Sequence, residues 1–187
     1  VAVAAFDTPE VAVDPVALAE AVRRRVNADR HIDVRTGHEV LSVEDGEGLE
    51  VVVQADERAA REPFDHVVNG LWEGRLAINE KRGLRPDRPW MHRLKYGVSF
   101  RLPEGARVPP SATFVSGPFG EVVSYRDGLT YLTWYPVCLQ GISSDITPPD
   151  WPTYPPEPLR SQLLHGTLSA MAQFVPALDQ IGALSYS

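Results

Sequence analysis

At 187 residues, with 43% hydrophobic and 23% charged side chains, the chain is long enough to bury a core and does not have the composition of a disordered protein. Its formal net charge of −7 argues against a general nucleic-acid or membrane-surface binder, because such proteins work through a basic surface. No apolar run approaches the roughly 20 residues that span a bilayer, so we expect no membrane association.

The numbers and spacing of the cysteines and histidines limit which disulfides and metal sites the chain can form. The single Cys138 excludes a disulfide within the chain and any zinc site built on several cysteines, and we expect it to be a buried, inert thiol. The five histidines lack the spacing of metal ligands, so we predict no metal site. This cysteine usage is typical of a reducing, intracellular setting, and we expect a cytoplasmic protein.

The first predicted element is a helix over residues 14–29, since Asp14 suits the N-cap and Pro15 the first helical position. One face of this helix is apolar and consists of Leu18, Ala19, Val22 and Val26. The residues that follow predict strands at 31–36, 40–44, 49–54 and 64–69. The second and third of these strands look like a hairpin, and the fourth ends abruptly in a loop.

The charged, turn-rich stretch 82–89 marks a boundary, and we divide the chain into two lobes, residues 1–80 and 81–187. Beyond it, runs separated by Pro or Gly turns predict an antiparallel sheet, with Asp127–Gly128 as a hairpin turn. The predicted strands are 92–102, 112–117, 121–125 and 129–136. A Pro-rich connector over 147–158 leads into a helix over 159–175. The fold class that these patterns predict is α+β.

Four segments carry a resemblance to a known family: VDPVALAEAV, HEVLSVE, FDHVVNG and DGLTYLTWYP. Over residues 10–140 the chain resembles the D-amino-acid oxidase and glycine/sarcosine oxidase family of FAD-dependent oxidoreductases. The resemblance implies an antiparallel substrate-domain sheet with helices, together with part of an FAD-binding α/β layer. It also implies that a small-molecule substrate, an amine or amino acid, is oxidised by hydride transfer to the flavin.

The resemblance places FAD against two parts of residues 1–80. Its cofactor-binding residues match Glu39 and Val40 at the adenine end, and Asn69, Gly70, Leu71 and Trp72 near the phosphates. Position 72 departs from the family, because a bulky indole stands where small residues let the backbone approach the phosphates. Trp72 either stacks on a ligand or, as the favoured alternative, packs in the core or a lobe interface.

The resemblance implies that the substrate-binding residues lie on the antiparallel sheet. A pocket for a substrate carboxylate needs cationic or phenolic groups and aromatic walls. Alternation along strand 129–136 puts Tyr131 and Tyr135 on one face. We expect this face to look into the cofactor cleft; the alternative is that both rings pack under a helix. Arg93 is the third candidate, with charge display on a half-solvated strand as its favoured alternative. The sequence assigns no catalytic residue.

Dinucleotide binding requires a GxGxxG loop between a strand and a helix, and these 187 residues contain none. We therefore expect the chain to be an internal piece of a longer flavoenzyme, whose partner is the rest of the FAD-binding domain. Alone, such a piece should hold FAD weakly or not at all and be inactive. The alternative is a non-enzymatic α+β module that uses the aromatic sheet to bind a small molecule or a protein.

Overall fold

The protein, described here from a computed structural model, is a small α+β protein with antiparallel sheets. The structure describes residues 4–9, 11–125 and 128–181. They form two compact units: the described parts of Val1–Leu18, Arg93–Gly141 and Pro152–Ser187 make the first, and Ala19–His92 with Ile142–Trp151 makes the second. Each unit is assembled from separate stretches of the chain. The predicted α+β class with an antiparallel sheet is confirmed.

Helix α1 spans Pro15–Asn27, within the range that the sequence predicts. The Asp14 carboxylate caps it, since Oδ1 accepts hydrogen bonds from the backbone N–H groups of Val16 (2.9 Å) and Ala17 (3.0 Å). None of its thirteen residues is buried. On the predicted apolar face, the side chains of Leu18 and Val22 are 54% and 53% exposed. The helix has the predicted amphipathic pattern, but its apolar face stays open.

The second unit contains a three-stranded antiparallel meander of β1 (His38–Asp45), β2 (Leu49–Ala55) and β3 (Arg58–Phe64). The predicted hairpin of β1 and β2 is confirmed. Arg61 on β3 forms ion pairs with Glu44 on β1 and Glu50 on β2, so charge joins all three strands on one face. Helix α2 (Arg75–Lys81) follows, and the Lys81 ammonium donates to the Leu41 carbonyl at 2.7 Å.

Two predicted strands in this unit are wrong. Residues 31–36 form no strand, and residues 65–69 form none either. The third strand of the sheet is instead the polar stretch Arg58–Phe64, which the sequence pattern did not mark because most of its side chains are exposed. Its pairing follows from a tight turn after β2, where Asp56 adopts a φ of 52°.

The first unit is built on a four-stranded antiparallel sheet. Its strands are β5 (Val98–Arg101), β6 (Ala112–Phe114), β7 (Gly120–Ser124) and β8 (Leu129–Trp134), in the spatial order β5-β8-β7-β6. The predicted antiparallel pairing of the last two strands is confirmed, although Asp127 of the predicted turn lies outside the described residues. A separate two-stranded sheet joins β4 (His92–Lys95) to β9 (Leu139–Ser143).

The core of this unit lies between one face of the four-stranded sheet and helix α4 (Leu159–Ala172). The sheet contributes Val98, Val122, Leu132 and Trp134. The helix and the 3-10 helix Pro176–Ile181 contribute Leu164, Leu168, Met171, Leu178 and Ile181. The predicted C-terminal helix is thus confirmed, although it ends three residues early and continues as a tighter turn.

Two further strands differ from their predicted extents. The predicted strand 92–102 is broken at Tyr96 and Gly97, because Tyr96 is bonded elsewhere: its N–H donates to the Cys138 carbonyl (3.0 Å) and its hydroxyl to the Pro152 carbonyl (2.6 Å). Strand 129–136 ends at Trp134, where the short helix α3 (Tyr135–Cys138) begins. Proline at position 136 has no N–H for a strand ladder but is tolerated in the first helical turn.

Cys138 is fully buried, as predicted, at the end of α3. None of the helices in the described part of the chain combines the length and the apolar character that crossing a membrane would need.

Replacing Leu132 by Ala should lower the free energy of unfolding by about 3 kcal/mol, because it opens a cavity at a side chain that is 0% exposed. Urea unfolding followed by circular dichroism measures this loss. Val115→Ala is the control, since Val115 is 75% exposed and its truncation should cost less than about 0.5 kcal/mol. Equal losses in the two variants would contradict the placement of Leu132 in the core.

Candidate functional site

The face of the four-stranded sheet that points away from α4 is called the outer face below. Side chains alternate along a strand, so Leu132 and Trp134 in the core put Tyr131 and Thr133 on the outer face. The strand register aligns Thr113, Glu121 and Thr133 in one row across β6, β7 and β8. The outer face therefore combines polar, charged and phenolic groups, whereas the inner face is apolar.

A cleft of about 380 Å³ lies on this outer face, within the first unit. Six of its lining residues carry the chemistry: Arg93, Lys95, Phe119, Glu121, Thr133 and Tyr135. They come from β4, β7, β8, α3 and the turn before β7. Groups of both charges and aromatic rings thus border one open groove, which makes it a candidate site for a polar ligand.

Aromatic rings and one cation form a side of this cleft. The Lys95 ammonium lies 4.5 Å from the centre of the Tyr135 ring, a cation–π contact that fixes both groups. The Phe119 and Tyr135 rings meet edge to face, with their centres 6.1 Å apart. Tyr135 is the residue that joins these contacts, because it stands where β8 turns into α3.

Thr133 is the most buried polar group of the cleft, at 1% exposure, and its hydroxyl has no hydrogen-bond partner among the described residues. Tyr131 is near enough for the Thr133 hydroxyl to oppose the rise of its pKa, yet the two groups do not meet in hydrogen-bonding geometry. A buried polar atom without a partner destabilises a protein, so Thr133 calls for an explanation.

Tyr131 lies beside the cleft rather than in its lining. Its ring covers Gly97, because a β-carbon at position 97 would overlap the ring and lie 2.7 Å from the phenolic oxygen. Burial, and next the Glu121 carboxylate, raise the pKa of Tyr131 above its ordinary value of 10.0. The phenol of Tyr131 therefore ionises less readily than an ordinary tyrosine, and the absence of a side chain at position 97 leaves room for its ring.

The structure brings two of the three expected substrate-binding residues together, since Arg93 and Tyr135 line the same cleft. Tyr131 lies on the outer face of β8, whereas Arg93 lies on β4 and Tyr135 on α3, so the expectation that Tyr131 and Tyr135 share one strand face is wrong. The alternative that Tyr131 packs under a helix is also wrong, because α4 covers the opposite face. Arg93 is exposed, which agrees with charge display, and it also lines the cleft.

The expected cofactor-binding residues all lie in the second unit. Asn69 organises its loop, since its amide donates to the Arg75 carbonyl (3.0 Å) and the Asn79 side chain (2.8 Å). Its Oδ1 in turn accepts a hydrogen bond from the Leu71 N–H at 3.2 Å. Gly70 is exposed, and a β-carbon there would meet nothing within 4 Å. Asn69 thus fixes the loop. The Gly70 N–H donates to the Val68 carbonyl at 3.1 Å, while the space beside the Gly70 α-carbon is open.

Trp72 is 94% exposed, so the expectation that it packs in the core is wrong, while packing at a lobe interface stays a prediction. The residue follows a loop whose geometry Asn69 sets, and the indole projects from it; Leu71 is also exposed, at 41%. On β1, Glu39 is exposed and pairs with Gln54, while Val40 is half-buried and pairs with Val53. These two are ordinary members of the meander.

Sequence reasoning missed the groups that give the cleft its charge and its buried hydroxyl: Lys95, Phe119, Glu121 and Thr133. Lys95 stands two residues after Arg93 and so falls on the same face of the predicted strand 92–102, but nothing in the sequence marks that face as a site. Glu121 follows the predicted glycine turn and precedes the apolar Val122, so it was placed in a strand but not in a site. What brings it to the cleft is its pairing with Thr133, a contact between strands that a single sequence does not specify.

Because the folded-state pKa of Tyr131 is raised, the stability that its neutral form contributes is complete below the pH at which an unfolded tyrosine ionises. It should be lost as the pH rises through the folded-state pKa. Ultraviolet titration of the wild type against Tyr131→Phe isolates this group, and we expect it to ionise above pH 10.0. Glu121→Gln should lower the transition without restoring the ordinary value, since burial is the larger cause. A Tyr131 that titrates at or below the ordinary value would contradict this environment.

Comparison of the chain with protein-family models, with curated proteins and with solved structures found no match. Two features of the described residues bear on the function. They are the charged, aromatic cleft on the outer face of the first unit and the open loop around Gly70 and Trp72 in the second.

Proposed function

We propose that the chain is the central, substrate-binding portion of an FAD-dependent oxidoreductase that oxidises an amine or amino acid by hydride transfer to the flavin. The observation that carries the proposal is the cleft on the outer face of the antiparallel sheet, lined by Arg93 and Tyr135. The resemblance of the sequence to flavin-dependent amine oxidases implies a substrate site on this sheet, and a cleft with charged and aromatic lining residues on the sheet supports that proposal.

In such a reaction the protein mainly binds and orients the substrate, because the cofactor provides the redox chemistry. Lys95 and Arg93 supply positive charge for a substrate carboxylate, and the Tyr135 ring supplies a wall that Lys95 stiffens. The neutral phenol of Tyr131, whose pKa burial raises further, can donate a hydrogen bond at the edge of the cleft. These roles are binding and orientation, and none of them requires a nucleophile.

FAD would accept the hydride, and the residues of the second unit fit the cofactor in one respect. Gly70 leaves space beside its backbone, which is what close approach of a phosphate group needs, and Asn69 holds that backbone in place. The exposed Trp72 ring can stack on a planar group. Asn69 itself is fully engaged with α2 and its own loop, so its role is to shape the loop.

Exposed apolar groups support a partner for this portion, namely the rest of the FAD-binding domain. Val68 and Trp72 are 93% and 94% exposed, and Leu18 and Val22 on α1 are 54% and 53% exposed, so each of these two segments offers apolar side chains that a partner could cover. A GxGxxG segment located on that partner would supply the phosphate-binding helix that these 187 residues do not contain.

The test uses the product of the complete reading frame. We expect it to carry FAD, to show flavin absorbance, and to be bleached without oxygen by amines or amino acids. Gly70→Ala should weaken FAD binding by about tenfold, corresponding to about 1.4 kcal/mol, while leaving the melting temperature unchanged because its β-carbon meets open space.

Gly74→Ala is the matched control, since a β-carbon there makes only ordinary contacts at 3.9 Å and 4.0 Å with Leu71. A colourless product that binds no added FAD, from a frame that encodes no GxGxxG, would reject the proposal. The non-enzymatic binding module would then be the better account of the cleft.

A further inference from the structure

We infer that Glu121 and Thr133 form an ammonium-binding subsite, so the cleft takes a small aliphatic amine in its protonated form. The inference rests on the proposed function in treating the cleft as the substrate site, but the binding it describes needs no flavin. It narrows the substrate to molecules with a positive nitrogen and makes Glu121, which sequence reasoning missed, the residue that determines specificity.

The row Thr113, Glu121 and Thr133 supplies the acceptors. These residues pair directly across three strands and line the cleft, so a carboxylate stands between two hydroxyl groups. A protonated primary amine has three N–H donors, and a carboxylate with hydroxyl oxygens beside it can accept them. The register of the sheet therefore creates a set of acceptors matched to an ammonium group.

The Thr133 hydroxyl is the second, independent observation. Its oxygen is buried and has no partner within the described residues, although the residue is only 1% exposed and faces the cleft. Such an atom lowers stability unless something else bonds to it. A ligand ammonium placed on Glu121 reaches the next position in the row and would supply the missing partner.

The other charged groups of the cleft leave the Glu121 carboxylate available for a ligand cation. The Lys95 ammonium is held against the Tyr135 ring, and within the described part of the chain Glu121 forms no salt bridge. A half-buried carboxylate on a partly apolar surface gains most from an added cation, since attraction between charges strengthens where water is excluded. The aliphatic part of the ligand would lie against the edge-to-face pair of Phe119 and Tyr135.

The experiment measures binding of three ligands to the flavin-free chain by NMR titration: n-butylamine, butyrate and 4-aminobutyrate. Each has four carbon atoms, and they differ in whether they carry an amine, a carboxylate or both. We expect both amines to shift the resonances of Glu121 and Thr133. Glu121→Gln should weaken both amines by about tenfold, the usual effect of removing one charge-assisted bond, and should leave butyrate unchanged or tighter. Glu104→Gln, at an exposed turn residue outside the cleft, should change nothing.

A pair of threonine variants separates binding from folding. Thr130 and Thr133 are both buried with unpartnered hydroxyls, but only Thr133 lines the cleft. Replacing either by Val removes an unsatisfied polar atom, so neither variant should lose stability. Thr133→Val alone should weaken n-butylamine by about tenfold, as expected for the loss of one hydrogen bond from a charged donor.

The inference is overturned if n-butylamine fails to bind, if Glu121→Gln leaves its affinity unchanged, or if Thr130→Val weakens it as much as Thr133→Val does. These outcomes differ from failure of the proposed function. A product without flavin that still binds amines through Glu121 keeps the subsite and rejects the oxidoreductase. A flavin-containing product whose affinity for amines is unchanged by Glu121→Gln supports the oxidoreductase and rejects the ammonium subsite.

Discussion

The first unit depends on one constraint, the alternation of side chains along β8. Leu132 and Trp134 pack against α4 with exposures of 0% and 8%, and this fixes the register of the strand against the helix. A shift of one residue would bury Tyr131 and Thr133 and expose the apolar pair. The burial that stabilises the core therefore also determines which side chains reach the outer face. The same register of β8 sets both the core packing and the residues of the candidate site.

Two glycines let aromatic rings lie flat on opposite faces of this sheet. Tyr131 covers Gly97 on the outer face, and Trp134 covers Gly120 on the inner face, where a β-carbon would lie 2.6 Å from the indole. A side chain at either glycine would displace the ring that covers it. The two contacts hold the rings in fixed orientations, one in the core and one beside the cleft, and they link the glycine positions of the sequence to the geometry of the site.

Local patterns predicted the elements that local interactions determine. The capped helix α1, the hairpin of β1 and β2, the two faces of β8 and the buried Cys138 all follow from short stretches of sequence. Pairing between distant residues decided the rest. The polar strand β3 exists because β2 pairs with it, and the break at Tyr96 exists because Cys138 and Pro152 bind that residue. Glu121 could not be predicted as a site residue for the same reason, since its place in the cleft depends on its pairing with Thr133 on the neighbouring strand.

Nuclear Overhauser contacts of two rings test the two-faced sheet most directly. The account predicts contacts from the Trp134 ring to the Phe114 and Phe174 rings, which lie 6.0 Å and 5.6 Å away between centres. It also predicts contacts from the Tyr131 ring to the α-protons of Gly97, and none to the methyl groups of α4. Contacts between Tyr131 and α4, with a Trp134 ring open to solvent, would show the opposite register and contradict both the cleft and the function inferred from it.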